Sequence, residues 1–331
     1  NYELTSVTAR KAQTGIGFHA INSDVSISAL ISSTDETGNP NAGDYQASGD
    51  DVMVVASRNY IGFKLDNSKL HGGFGRTVAT AENRGGITAS ERNTGYGFLV
   101  NNSQIDLKGL IDICGNDKGM DTDTSKITYE NLCIQYTPEQ AIRAKNSTFI
   151  FNSTNTPTNA GQATRKQVDF HGNGQHLDLR DESSFMFSRK NHIPTTYGSM
   201  QFSGCHGVIK WGGANRANLP AISVDNNSVL NLVHADIRTR EAADSVASVP
   251  CYGVGIKATN NSVASLFGTG SGCTLVWGVP GYTYQQKTAG VYANNGSEIN
   301  LHGPTVMAQM GVNVLGENNS TVNIQPPRVR D

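Results

Sequence analysis

The sequence predicts an all-β chain wound as a right-handed parallel β-helix, a solenoid with protruding loops, and three observations lead there. The first is a recurrence. Ser23, Ser68, Ser103, Ser125, Ser147, Ser183, Ser228, Ser262, Ser297 and Ser320 are each followed two positions on by an apolar residue, usually with a second one two further along. The steps between them are 45, 35, 22, 22, 36, 45, 34, 35 and 23 residues. The second observation is another apolar alternation just upstream of many of these serines, as in Gly97-Phe98-Leu99-Val100, Gly255-Ile256-Lys257-Ala258 and Gly290-Val291-Tyr292-Ala293. Period-two alternation with β-branched residues marks a strand. The third is that no 3.6-period stripe is long enough for a major helix, and no heptads or membrane-spanning run occur.

The unit therefore reads as short strand, corner, short strand and variable loop. Asn precedes the serine at Asn22, Asn67, Asn102, Asn146, Asn227, Asn261 and Asn319. Asn suits a corner because it tolerates left-handed dihedrals and hydrogen-bonds locally, so the chain turns without making a hairpin. A helix-free unit of 22 residues buries its apolar side chains by coiling onto its own copies. Those copies lie about 4.8 Å apart in parallel register, like residue over like. Steps near 22 residues are read as one unit and the longer steps as two units with a weak intervening copy. That count gives about fourteen coils and a stack on the order of 65 Å tall.

Composition agrees with this architecture. Gly at 36 of 331 residues, charged residues at 16% and aromatics at 7% describe many tight corners around a narrow aliphatic core. A formal net charge of −2 offers no basic surface, so no nucleic-acid partner is expected. Because the repeats run from Ser23 to Ser320, one elongated domain over residues 1–331 is expected, with a lead-in over 1–16, coils over 17–325 and an exit segment over 326–331. Asn1 to Thr14 carries no amphipathic lid and Pro326-Pro327 merely stop the last strand, so both ends of the stack are expected to be open. Open ends fit a segment that continues into other domains.

The five cysteines, Cys114, Cys133, Cys205, Cys251 and Cys273, include no CxxC pair and are expected to be buried thiols filling the core. Neither a metal site nor a cofactor is expected. The Asn-x-Ser/Thr sequons fall out of the repeat and carry no argument for secretion. Asp121-Thr122-Asp123-Thr124-Ser125 imitates the start of an EF-hand loop, but Lys126 stands where Gly is required and Leu132 where the closing Glu belongs.

Two carboxylate sets are candidates for chemistry. In the 22-residue register Asp117 stacks on Glu139 and Asp121 on Arg143. A carboxyl pair about 5 Å apart suits a retaining glycosidase and a wider pair an inverting one, whereas Asp121 with Arg143 reads as a cross-coil ion pair. The second set is Asp169, His171, His176, Asp178 and Asp181, around glycines that equally signal a turn. Loops at Ser32 to Asp51, Thr156 to Gln167, Arg238 to Pro250 and Val279 to Lys287 leave the stack, where solenoids often carry recognition. Trp211, Trp277, Tyr282 and Tyr284 are the aromatics expected either to stack on sugar rings or to be buried between subunits.

The module Gly-φ-x-φ-x-Asn-Ser-x-φ, with φ apolar, stands at Gly62-Phe63-Lys64-Leu65-Asp66-Asn67-Ser68-Lys69-Leu70 and Gly97-Phe98-Leu99-Val100-Asn101-Asn102-Ser103-Gln104-Ile105. It resembles the pectin-lyase-like β-helices of bacteriophage tail fibres, tailspikes and baseplate proteins. The resemblance implies a homotrimer on a virion tail, in contact with other tail or baseplate proteins, acting as a stalk or host-surface binding element without catalytic residues. The alternative it implies is an endo-acting depolymerase of bacterial capsule or lipopolysaccharide. In that case Asp117, Glu139, Asp169, Asp178 and Asp181 are the candidates.

Overall fold

The computed structural model describes residues 2–4, 7–10, 15–27, 53–57, 59–72, 76–80, 93, 95–135, 137, 139–151, 168–171, 173–186, 200–203, 220–233, 235–238, 254–268, 274–277, 289–308 and 312–325. Among the described residues every regular element is a strand and every pairing is parallel between successive coils, which makes the fold a parallel β-helix. Each coil has three faces. The first face is a ten-stranded sheet that runs from Ile16–Ile21 to Val312–Gly316. The second and third faces join into a nineteen-stranded sheet, because Gln104–Cys114 and Lys126–Gln135 run from one face to the other without a break.

Among the described residues ten first-face strands make ten coils, each with one corner serine, against the expectation of about fourteen. The long steps are single coils. Ser23 and Ser68 are 45 residues apart, yet the Ser23 N–H donates directly to Ser68 Oγ at 3.1 Å. Ser183 and Ser228, also 45 residues apart, are joined in the same way, the Ser183 N–H donating to Ser228 Oγ at 3.2 Å, so no intervening copy separates these corners. At one rise per coil the ten coils stand on the order of 50 Å tall.

The corner explains the Asn-Ser signature. Asn22, Asn67, Asn102 and Asn146 have φ between 44° and 50°, in the left-handed region, and so the chain changes face in a single residue. That rotation turns the next N–H out of the backbone ladder. Serine restores the bond: Oγ accepts the N–H of the serine one coil before and donates to a carbonyl of its own coil. Between the coils of Ser147 and Ser183 the corner lengthens. Asp181 and Glu182, Asn226 and Asn227, Asn260 and Asn261, and Asn318 and Asn319 are left-handed in pairs, and the Ser183 and Ser228 hydroxyls reach back three residues instead of two.

The opposite corner carries a buried polar column that the repeat did not announce. Asn59, Asn93, Asn116, Thr137 and Asn173 are all at most 1% exposed. Asn93 Oδ1 accepts the Asn59 N–H at 2.8 Å, Asn93 Nδ2 donates to Asn116 Oδ1 at 2.8 Å, and Asn173 Oδ1 accepts the Thr137 N–H at 3.0 Å. These amides pair backbone groups that a turn inside the core leaves without a ladder partner.

The core runs along the coil axis as stacked like residues. Phe63 lies flat on Phe98, centroids 4.6 Å apart and 11° from parallel, and Phe149 stacks on Phe185 at 5.7 Å. Tyr129 is fully buried beside Phe151 and Phe185, and burial pushes its phenol pKa far up. In the last described strand, Thr321–Gln325, burial is lower and Ile324 is 69% exposed. Cys133 departs from the expectation of a buried thiol: it sits half-buried on the outer side of its strand, between the inward Leu132 and Ile134, while Cys205, Cys251 and Cys273 lie outside the described residues. Along the strand pair Cys114 is in register with Gln135 and Asp112 with Cys133.

Candidate functional site

Coil by coil, the residue that leads into each first-face strand forms a column on the surface. Its backbone is linked by Tyr60 N–H to Gly15 O, Tyr96 N–H to Tyr60 O, Lys118 N–H to Gly95 O, Glu139 N–H to Asp117 O and Gln175 N–H to Glu139 O. The column therefore reads Gly15, Tyr60, Gly95, Asp117, Glu139. The adjacent column, one residue on, places Tyr96 in register with Lys118. Asp117 and Glu139 are brought to neighbouring coils, as the 22-residue register requires, and both are half-buried.

The polar groups here are tied to one another. Lys118 Nζ donates to Tyr96 Oη at 3.2 Å, lies 4.8 Å from the Tyr96 ring centroid, and pairs with Glu139 Oε2 at 3.6 Å. Desolvation pulls the Lys118 pKa down, but the Tyr96 hydrogen bond and the Glu139 charge outweigh it, and the net shift is upward. Lys118 is thus held as a cation. Tyr60 stands beside this group, its ring edge-on to Tyr96 at 6.3 Å and 87°. A Cβ on Gly95 would come within 2.8 Å of the Tyr60 ring, so the absence of a side chain there is what lets the ring lie over the next coil.

Further round the first face an outward row runs Leu99, Asp121, Arg143, Asp178, Ser223. Arg143 forks onto Asp121, with Nε to Oδ1 at 3.1 Å and Nη2 to Oδ2 shorter still. Asp178 is claimed by Arg180, Nε to Oδ1 at 3.0 Å. The Asp121 hydrogen bond raises the Arg143 pKa, and the Asp178 hydrogen bond raises that of Arg180. These carboxylates serve as ion-pair partners along the stack.

The second sequence-derived set does not converge. Asp169 and His171 lie on the third-face strand Val168–His171, His176 is buried at the inner corner, Asp178 faces outward on the first face, and Asp181 occupies the left-handed corner, where its Oδ1 accepts Asn226 Nδ2 at 2.6 Å. Trp277 ends the strand Thr274–Trp277, in register with Arg238 and Ala308. Trp211, Tyr282 and Tyr284 lie outside the described residues.

Tyr60, Tyr96 and Lys118 were not singled out in the sequence, although a signal existed. Tyr60, Gly95, Asp117 and Glu139 each stand eight residues before a corner serine, Ser68, Ser103, Ser125 and Ser147 respectively. A separate open groove follows the corners from Asn22 to Asn146, with the serines as its floor and Lys69, Gln104 and Lys126 on one side. It stops where the corner lengthens. No group of three metal-ligating side chains occurs among the described residues, and no described helix is long and apolar enough to cross a membrane. No family model, curated protein or solved structure matches the chain.

Proposed function

We propose that this chain is a bacteriophage tail component, a fibre or tailspike β-helix that serves as a structural stalk and contacts the host surface. The observation that carries the reading is the continuous stack of ten in-register coils, clamped at one corner by serine hydroxyls and at the other by buried amides. Such a stack resists bending and unravelling because each coil satisfies the backbone of the next, which is what a load-bearing rod requires. The carboxylates on its first face are engaged by Lys118, Arg143 and Arg180, an arrangement that favours a binding or structural surface over a reacting one.

The reading further takes the virion tail as the location and a homotrimer as the assembled form. Two measurements test it. Sedimentation should give a species of about three times 35.3 kDa, and fluorescently tagged protein should label the cells of a susceptible bacterial strain. A clean monomer that labels no strain overturns the proposal.

The alternative, an endo-acting glycan depolymerase, draws on the placement of Asp117 and Glu139 on neighbouring coils. It requires reducing-end release from capsule or lipopolysaccharide that disappears in Asp117→Asn and Glu139→Gln.

A further inference from the structure

We infer that Asn295 is a site of spontaneous covalent modification, where its side-chain amide closes onto the Gly296 backbone nitrogen and is converted to aspartate and isoaspartate, and that the last described coil controls the rate. The inference is independent of the tail-component reading. Asn is followed by Gly twice in the chain, at Asn173-Gly174 and Asn295-Gly296. A backbone nitrogen attacks the Cγ of a preceding Asn most readily when its own residue has no Cβ to shield it.

The fold places the two pairs oppositely. Asn173 is fully buried, its Oδ1 accepts the Thr137 N–H at 3.0 Å, its Nδ2 donates to Ile134 O at 2.9 Å, and the Gly174 N–H donates to Thr137 O at 2.7 Å. That amide is fixed through both of its polar atoms and shielded from water. Asn295 and Gly296 are instead exposed at a paired corner, both left-handed, at φ 51° and 71°. The other paired corners described carry Glu182, Asn227, Asn261 or Asn319 at the second position. Gly stands here where the preceding coil comes close, since a Cβ on Gly296 would lie 2.7 Å from Asn261 Oδ1. The approach that suits glycine also leaves its nitrogen bare.

In the reaction the Gly296 nitrogen gives up its proton and bonds to Asn295 Cγ, the Cγ–Nδ2 bond breaks, and ammonia leaves with that proton. Water then opens the cyclic imide. Cleavage of the new N–Cγ bond yields aspartate, and cleavage of the original peptide bond yields isoaspartate, whose main chain runs through the side chain and is longer by a methylene. The column accommodates the first product. Asp181 holds the equivalent position at φ 51°, its Oδ1 accepting Asn226 Nδ2 at 2.6 Å. The second product displaces Gly296 from Asn318 O and Ser297 from the serine ladder, where its Oγ accepts the Ser262 N–H at 3.1 Å.

Both reacting groups are engaged while the corner is closed: the Gly296 N–H donates to Asn318 O at 3.0 Å and Asn295 Nδ2 to Asn260 Oδ1 at 3.0 Å. Asn318 belongs to the last described coil, whose Val314 and Val322 are only partly buried against the core. Ring closure therefore draws on the molecules in which that coil has lifted, and its rate follows local opening rather than global unfolding.

The test is peptide mapping of the whole chain aged at mildly alkaline pH, with electron-transfer fragmentation to separate aspartate from isoaspartate, beside a synthetic peptide of residues 291–299. Both products are expected at Asn295 and neither at Asn173, at a rate about tenfold or more below that of the peptide. Val322→Ala and, independently, urea below the unfolding transition should each raise the rate severalfold. Gly296→Asn should cut it about tenfold, because a Cβ then shields the nitrogen, and Asn295→Asp should leave the circular dichroism spectrum unchanged. An intact Asn295 in conditions that convert the peptide, or conversion at Asn173 as fast as at Asn295, overturns the site. A rate equal to that of the peptide, or one that neither Val322→Ala nor urea raises, overturns control by the last described coil.

Discussion

The backbone N–H of Ser125 donates to the hydroxyl of Ser147, one coil on, at 3.1 Å, and that hydroxyl in turn donates to Lys145 O at 2.7 Å. One side chain therefore satisfies two backbone groups of a buried corner, on two different coils. Ser147→Ala strands both. An unsatisfied buried backbone group costs about 1 to 3 kcal/mol, so a loss of about 2 kcal/mol or more is expected, read from the urea midpoint. Ser23→Ala is the comparison: Ser23 is only half-buried, and its effect should stay below about 1 kcal/mol.

Thr124 occupies the corner where the flanking coils place Asn102 and Asn146, at φ 50°. A β-branched residue in the left-handed region is strained, by about 1 to 2 kcal/mol against residues that tolerate it. Thr124→Asn should stabilise the stack by about 1 kcal/mol, visible as a higher thermal midpoint. Glu182→Gly, at φ 62° in a paired corner, should do the same. Unchanged midpoints in both would show that neighbouring contacts, such as Thr124 Oγ1 to Asp123 Oδ1 at 2.8 Å, already offset the strain.

The corners were legible because their signal is local: a residue that tolerates positive φ followed by one that carries a hydroxyl. What lies between corners was not. Ser23 and Ser68 enclose one coil and Ser103 and Ser125 also enclose one, although the first step is about twice as long, because a solenoid fixes which residues stack in space and not the length of chain that joins them. The buried Asn column was missed for a related reason. Asn59 stands four residues before the inward Phe63 but Asn93 five before Phe98, so no fixed spacing announces it. The site was half-visible. Asp117 and Glu139 emerged from two equal steps of 22, whereas Tyr60 joins their column only once a step of 35 is also counted as one coil.

Thr122 points into the core in register with Val100 and Ala144, and its hydroxyl is buried without a hydrogen-bond partner among the described residues. Tyr129 Oη is in the same position. Replacing an unsatisfied buried polar group with an apolar isostere recovers its desolvation cost. Thr122→Val and Tyr129→Phe should each stabilise by about 1 kcal/mol in chemical denaturation. Destabilisation in either would mean that the hydroxyl has a partner.

Asp66 links three coils, accepting from His19 Nε2 at 2.8 Å and Asn101 Nδ2 at 2.9 Å and pairing with Lys64 Nζ at 3.1 Å. Desolvation raises its pKa, but hydrogen bonds from Asn101, His19 and Lys64 overcome it and bring the carboxyl down from 3.8 to about 2. A depressed acid stabilises the fold fully above its unfolded pKa and loses that contribution as pH falls from about 4 through about 2. Urea midpoints should fall across this window in the native chain and fall less steeply in Asp66→Asn. Parallel curves would assign the acid sensitivity to other groups.

Arg143 and Asp121 form a forked ion pair on the first face, and the Asp121 side chain is only 12% exposed. Removing the arginine alone leaves a largely desolvated carboxylate without its counter-charge. For a fully buried pair that costs about 3 to 5 kcal/mol, and the 43% exposure of Arg143 lowers the expectation to about 2 kcal/mol for Arg143→Leu. The same outward row already accepts an apolar side chain at Leu99, directly in register with Asp121. The double variant Asp121→Leu with Arg143→Leu should therefore recover to within about 1 kcal/mol of the native chain, because no charge then needs solvation. A double-mutant cycle by urea denaturation separates the two cases. Additive losses would mean that the pair does not act as a unit and that each side chain stabilises the coil through its own contacts.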